Sequence, residues 1–174
     1  MATSPTAHHH HRAAVLTASD SVSTGAREDR SGPAVAALLR DAGFEVVATE
    51  LVADDRAPIA ACLRAHADDG VDVVAVTGGT GFAVRDITPE ATSDVLERPA
   101  PGLAEAMRAA GRARTPMADL SRGVCGIRGR TIILNLPGSP KGATQSLEAV
   151  LGLLPHALEL LAGDTEHRQP PQPS

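Results

Sequence analysis

The chain has 174 residues, 43% of them hydrophobic, and a formal charge of −5. That length suits one domain with a real core, and the acidic balance argues against general nucleic-acid or anionic-membrane binding. With no Trp or Tyr and with Phe44 and Phe82 as the two aromatics, the chain lacks a stacking platform for single strands, and the core falls to Ala, Val, Leu and Ile.

No apolar run reaches the about 20 residues of a membrane-spanning helix, and MATSPTAHHHHR lacks the apolar stretch of a signal peptide. Cys62 and Cys125 stand alone, outside any CxxC or disulfide-dense pattern, which suits a reducing cytoplasm. Residues 1–12 and 163–174 are polar and, at the C-terminal end, rich in Pro, so both are expected to be disordered tails around a domain of residues 13–162.

Within that domain strand and helix patterns alternate. Residues 13–19 read as a buried strand, and a polar loop follows. Residues 33–42 read as a helix with Pro33 in its first turn and Gly43 as its stop. A second strand is expected over 44–53 and a helix over 58–68, with Ile59, Leu63 and Ala67 on one stripe. The Val-rich run 71–77 predicts a strand buried on both faces. Thr88, Pro89 and Glu90 look like a helix start, with Thr88 as the cap. Further helices are expected over 102–110, from Pro140 or Lys141 to Leu151, and from Pro155. Two short strands should meet at Gly129. The β-α-β-α-β order predicts an α/β fold, a three-layer α/β/α sandwich around a mostly parallel sheet.

In open parallel sheets ligands bind beyond the carboxyl ends of the strands. Three loops qualify here: SDSVSTG after the first strand, TGGTGFAVRD after the third, and NLPGSPKG after the last. Glycines let backbone N–H groups approach a ligand, and a nest of such donors beside a helix start suits an anion. The glycine loop is neither a Walker A loop nor a GxGxxG fingerprint. In the last loop Lys141, the single lysine beside fifteen arginines, stands at a helix start, where an ammonium suits phosphate. Phosphate brings Mg²⁺, which takes one or two carboxylates, and Asp20, Asp29, Asp54, Asp55 and Asp86 are the candidates. The histidines at 8–11 read as a flexible tail, His66, His156 and His167 show no metal-like spacing, and no serine sits in a nucleophile motif.

TGGTG…RDITPEAT (77–92) and LNLPGSPKG (134–142) together closely resemble the two signature stretches of the Mog/MoaB-type molybdopterin-binding proteins. SDSVSTGAREDRSGP (19–33), PGLAEAMR (101–108) and LSRG (120–123) extend the likeness over about residues 13–162. The resemblance implies the molybdopterin-binding, MogA-like fold, commonly a homotrimer. It implies an activity too: Mg²⁺-dependent transfer of AMP from ATP to the terminal phosphate of molybdopterin, releasing pyrophosphate. It places the family's two critical aspartates, catalytic and metal-binding, on Asp86 and Asp54. Ala53 stands where the family usually has Pro, which leaves Asp55 as the alternative to Asp54. Gly78, Gly79, Thr80 and Gly81 fall on its phosphate- and pterin-binding loop, with Ser19 and Asp20 in the first loop and Asn135, Pro137, Gly138, Ser139 and Lys141 on the opposing wall. ATP and molybdopterin are the implied substrates, and other molybdenum-cofactor proteins the implied partners. Two alternatives stay open: a non-catalytic molybdopterin-binding protein of the same fold, and a sugar- or nucleotide-phosphate enzyme using the same loops. Phe82 is either a ligand contact or a core or interface residue, and Arg85 either an anion contact or a solvated side chain.

Overall fold

The computed structural model describes residues 10–163; the two expected tails lie almost wholly outside that range, as do His8 and His9. Strand β1 (Arg12–Ala18) is central, flanked by β2 (Glu45–Val52) and β3 (Val73–Thr77), and the sheet order is β2-β1-β3-β6-β5-β4. The first four of these, ending with β6 (Thr131–Leu136), run parallel; β5 (Cys125–Arg128) and the two-residue β4 (Arg98–Pro99) complete an antiparallel edge. The expected three-layer sandwich is therefore present. The antiparallel edge follows from Gly129, whose φ of 57° lets β5 turn straight back into β6.

Alternation along β1 divides the core. Ala13 and Val15 face α2 (Ser31–Asp41), α5 (Pro101–Arg112), α6 (Pro140–Leu151) and α7 (Leu154–Ala162), packing with Leu39, Leu147 and Leu154. Ala14, Leu16 and Ala18 face α3 (Arg56–Asp68) and α4 (Thr88–Ser93), packing with Ile59, Leu63 and Val95. Each fully buried Leu or Ile contributes about 1.5–3 kcal/mol, so small aliphatic side chains suffice without Trp or Tyr. All five residues of β3 are buried, as its continuous valine run predicts for a central parallel strand.

Three short elements escape the sequence patterns because they are too brief for a period to show: α1 (Asp20–Ser23), β4, and a 3-10 helix over Pro116–Leu120. Arg12 opens β1, pairing with Glu45, and Gly163 closes α7 in the left-handed region. At α4 the expected cap shifts by one residue. Ile87 is the N-cap, with no side-chain hydrogen bond, and Thr88 is the first helical residue, which frees its hydroxyl for another role.

Candidate functional site

The loops after β1, β2, β3 and β6 gather at the carboxyl edge of the sheet. Gly78 has φ 94°, and a Cβ there would lie 2.2 Å from the carbonyl oxygen of Ala18, so the turn out of β3 demands glycine. A Cβ on Gly138 would meet the Cα of Gly78 at 3.3 Å; the two glycine-bearing loops touch back to back. Among the described residues the backbone N–H groups of Gly79, Thr80 and Gly81 make no hydrogen bond, which leaves them as donors for an anion.

Acids flank this loop. Asp20 and Asp54 lock their loops together: the Asp20 N–H donates to Asp54 Oδ2 (2.9 Å) and the Asp54 N–H donates to Asp20 Oδ1 (3.0 Å). That leaves Asp54 Oδ1 buried without a partner. A Cβ on Gly79 would lie 3.2 Å from this oxygen and 2.4 Å from Thr88 Oγ1, a second buried oxygen without a partner. Asp86 closes the far end of the loop, accepting from the Ala83 N–H at 2.8 Å, and its Oδ2 is 2.8 Å from where a Cβ on Gly81 would stand. Burial pushes the Asp54 carboxyl up from its ordinary value; the Asp20 N–H pulls it down, the Asp20 carboxylate raises it, Arg85 lowers it and Asp86 raises it. Two orphaned hard oxygens beside clustered carboxylates fit Mg²⁺, which favours oxygen ligands and carboxylates.

Two arginines order the loop. Arg85 donates from Nε to Asp20 Oδ2 at 2.9 Å and from a terminal nitrogen to the same oxygen, so the side chain left open by the sequence is an acid-pairing cation. Arg122 donates widely: Nε to the Gly81 carbonyl (2.7 Å), the two ends of its fork to the Glu90 carboxylate and the Asp86 carbonyl. Its own N–H donates to the Thr80 carbonyl at 2.8 Å. The hydrogen bond from Arg122 holds the Glu90 carboxyl below its ordinary value.

Beside the loop lies a cavity of about 450 Å³, within the range of small-molecule sites. Gly79, Thr80, Gly81 and Asp86 from the loop after β3 line it together with Asn135, Pro137, Gly138 and Ser139 from β6 and the loop that follows. Met107, Met117 and Leu120 from α5 and the 3-10 helix make an apolar side, and Arg108 brings a guanidinium to it, steadied on the Gly123 carbonyl at 3.1 Å.

The sequence-predicted residues thus fall into two adjoining groups. Gly79, Thr80, Gly81, Asp86, Asn135, Pro137, Gly138 and Ser139 line the cavity, while Ser19, Asp20, Asp54 and Gly78 lie on the acidic side of the loop. Some have positioning duties. Ser19 caps α1 and Ser139 caps α6; Asn135 is 3% exposed, its amide bonded to Thr92 and Val124. Asp55 caps α3 through the Ala57 N–H and is exposed, which leaves the acidic cluster to Asp54. Asp29 turns inward to Thr17, Ser31 and Gly32. Lys141 is exposed and is not among the cavity-lining residues; Arg108 is the cation that faces the space. Phe82 is 71% exposed. Sequence reasoning missed the roles of Thr88, Arg108 and Arg122. The last two sit in PGLAEAMR and LSRG, stretches that extend the family likeness, and nothing local marks an arginine as a loop strap.

The family model for a probable molybdopterin binding domain matches residues 14–156. The molybdopterin adenylyltransferase of Helicobacter pylori is 42% identical over 153 residues, covering 86% of this chain and 87% of that protein. The crystal structure of the molybdopterin biosynthesis enzyme MoaB from Thermus thermophilus is 55% identical with a TM-score of 0.84, covering 88% of this chain and 97% of that one. The Mog protein from Mycobacterium ulcerans is 39% identical with a TM-score of 0.82, over 87% and 99%.

Proposed function

The chain belongs to the molybdopterin-binding domain family, and from that premise we propose that it is a molybdopterin adenylyltransferase of molybdenum cofactor biosynthesis, using Mg-ATP. The phosphate of molybdopterin attacks the α-phosphorus of ATP; the new P–O bond forms as the bond to the β-phosphate oxygen breaks, and pyrophosphate leaves with the electron pair. The observation that carries this reading is the pair of orphaned oxygens, Asp54 Oδ1 and Thr88 Oγ1, turned to Gly79 beside a cavity large enough for a pterin.

Two polyanions must be held in line, so positioning and charge neutralisation carry the chemistry. Asp54 and Asp86, with the Thr88 hydroxyl, would hold Mg²⁺. When bound, the ion supplies charge neutralisation on the triphosphate. The N–H groups of Gly79, Thr80 and Gly81 hold phosphate oxygens, and Arg108 presents its guanidinium to the cavity. With no Trp or Tyr in the chain, the pterin is recognised by backbone and polar hydrogen bonds and by the methionine-lined side. Asp20 and Arg85 position Asp54 rather than touch substrate. The proposal includes a homotrimer acting in the cytoplasm with other cofactor-assembly proteins; sedimentation of a monomer in dilute buffer refutes the trimer.

The test is pyrophosphate release from Mg-ATP plus molybdopterin. Release matched by adenylyl-molybdopterin supports the enzyme. Tight pterin binding with no turnover supports the non-catalytic reading instead, and stabilisation by unrelated phosphosugars but not by ATP or molybdopterin removes both.

A further inference from the structure

A second group of potential ligands lies away from the phosphate loops, between β2 and α3. Cys62 and His66 are four residues apart and so share one face of α3, and Glu50 projects to them from β2. Cys62 Sγ donates to Glu50 Oε2 at 3.1 Å, and His66 Nε2 stands 3.3 Å from Glu50 Oε1. The sulfur, the nitrogen and a carboxylate oxygen all lie within 4.8 Å of one another.

Histidine 66 makes this more than a thiol resting on a carboxylate. It is 8% exposed, and its Nε2 is buried without a hydrogen-bond partner, because its approach to Glu50 is not aligned for one. A buried ring nitrogen left unpaired costs free energy, yet two further ligand atoms lie within 4.8 Å of it. Bond lengths of about 2.0–2.3 Å put the ligand atoms of a tetrahedral zinc centre about 3.3–3.8 Å apart, so the cluster is close to that spacing already. A reactive thiol does not explain the arrangement: burial, then the hydrogen bond and charge of Glu50, push the Cys62 thiol up to about 12, the opposite of an activated nucleophile.

We propose that Glu50, Cys62 and His66 form a binding site for a zinc-type divalent cation, with a water or an exogenous ligand in the fourth position. The mixed sulfur, nitrogen and oxygen donors select a borderline-soft transition-type ion, not Mg²⁺ or Ca²⁺. Three protein ligands make an open site, unlike the four of a closed structural one. The ion ties β2 to α3, and the corner joining these two elements carries Asp54 and the helix-capping Asp55. The site is therefore chemically distinct from the acidic cluster but clamps the segment that presents it.

Cobalt(II) titration of the full chain, followed by ultraviolet–visible absorption, tests the site. One equivalent is expected to raise a thiolate-to-cobalt charge-transfer band, and zinc to abolish it by displacement. The histidines at 8–11 bind cobalt without a sulfur ligand and so cannot produce that band. Cys62→Ser should remove it. Glu50→Gln, at a side chain 47% exposed and safe for folding, should keep the band but weaken binding by at least about tenfold, the least that even outer partners of a metal site contribute. Absence of the band in the wild type, its survival in Cys62→Ser (which would assign it to Cys125), or an unchanged affinity in Glu50→Gln would each overturn the proposal.

Discussion

Asp20 and Asp54 hydrogen-bond each other reciprocally, each backbone N–H donating to the other's carboxylate at 2.9 and 3.0 Å. The exchange joins the loops after β1 and β2 and fixes Asp54 with one oxygen satisfied and one orphaned. The cluster is thus held in place by backbone donors, with Arg85 paired to its Asp20 carboxylate.

The Asp54 carboxyl is raised from its ordinary 3.8, chiefly by burial. For an acid whose folded value is raised, the protonated form favours the fold. This stability is fully present below the unfolded value and is lost as pH rises through the folded one. Asp54→Asn keeps the acceptor for the Asp20 N–H but removes the charge. Without Mg²⁺ the variant is expected to melt no lower than the wild type at neutral pH, with the two curves converging in acid. Its turnover should fall by about 10²–10³. Thermal melts across pH check the first statement and pyrophosphate release the second.

Thr88→Val removes an orphaned buried hydroxyl without changing side-chain shape. Because the group has no partner among the described residues, stability should be unchanged or higher. Turnover should fall, and the Mg²⁺ concentration needed for half-maximal rate should rise. An unchanged Mg²⁺ dependence would remove Thr88 from the cation site.

Arg122 straps the glycine loop through the Gly81, Asp86 and Thr80 carbonyls and the Glu90 carboxylate. Arg122→Lys cannot reproduce the planar fork and should cost about 1–3 kcal/mol in chemical denaturation, as for other lost bonds to a charged group. Glu90 is depressed below its ordinary 4.5 by Arg122. The stability it contributes is therefore present above that value and is lost as pH falls through the folded one. Arg122→Ala should accordingly lose less stability on acidification below about 4.5 than the wild type does, an effect kept modest by the 40% exposure of the Glu90 side chain.

Gly78 and Gly129 both have positive φ, at 94° and 57°, but differ in surroundings. A Cβ on Gly78 strikes the Ala18 carbonyl, whereas one on Gly129 meets nothing within 4 Å. Gly129→Ala should cost about 1 kcal/mol of backbone strain. Gly78→Ala should cost about 3 kcal/mol or more, because β1 and β3 must separate to admit the methyl group. Denaturant midpoints of the two variants, compared at equal slope, decide it.

The layers were legible because period and burial agree over long segments: the valine run of β3, the Ile59–Leu63 stripe of α3 and the glycine stops of α2 and α3. The place of the glycine loop at the carboxyl edge of the sheet was legible because glycine clusters where the chain must turn sharply out of a buried strand, as Gly78 does at φ 94°. What stayed hidden depends on contacts far apart in sequence. Arg122 reaches the Gly81 carbonyl across 41 positions, and Lys141 looked like the phosphate cation because it is the single lysine, although Arg108 faces the cavity. Thr88 looked like a cap because Thr-Pro-Glu usually is one; the shift of that cap to Ile87 is what frees its hydroxyl.

The most direct measurement is a single-turnover reaction with Mg-ATP and molybdopterin, quenched and resolved for adenylyl-molybdopterin, on the wild type and on Asp86→Asn. The wild type should form the adenylylated product and pyrophosphate in equal amounts, and chelation of Mg²⁺ should stop both. Asp86→Asn should still bind the pterin while forming product about 10²–10³ times more slowly. A wild type that binds molybdopterin tightly and forms no adenylylated product, or an Asp86→Asn variant as fast as the wild type, would contradict the account.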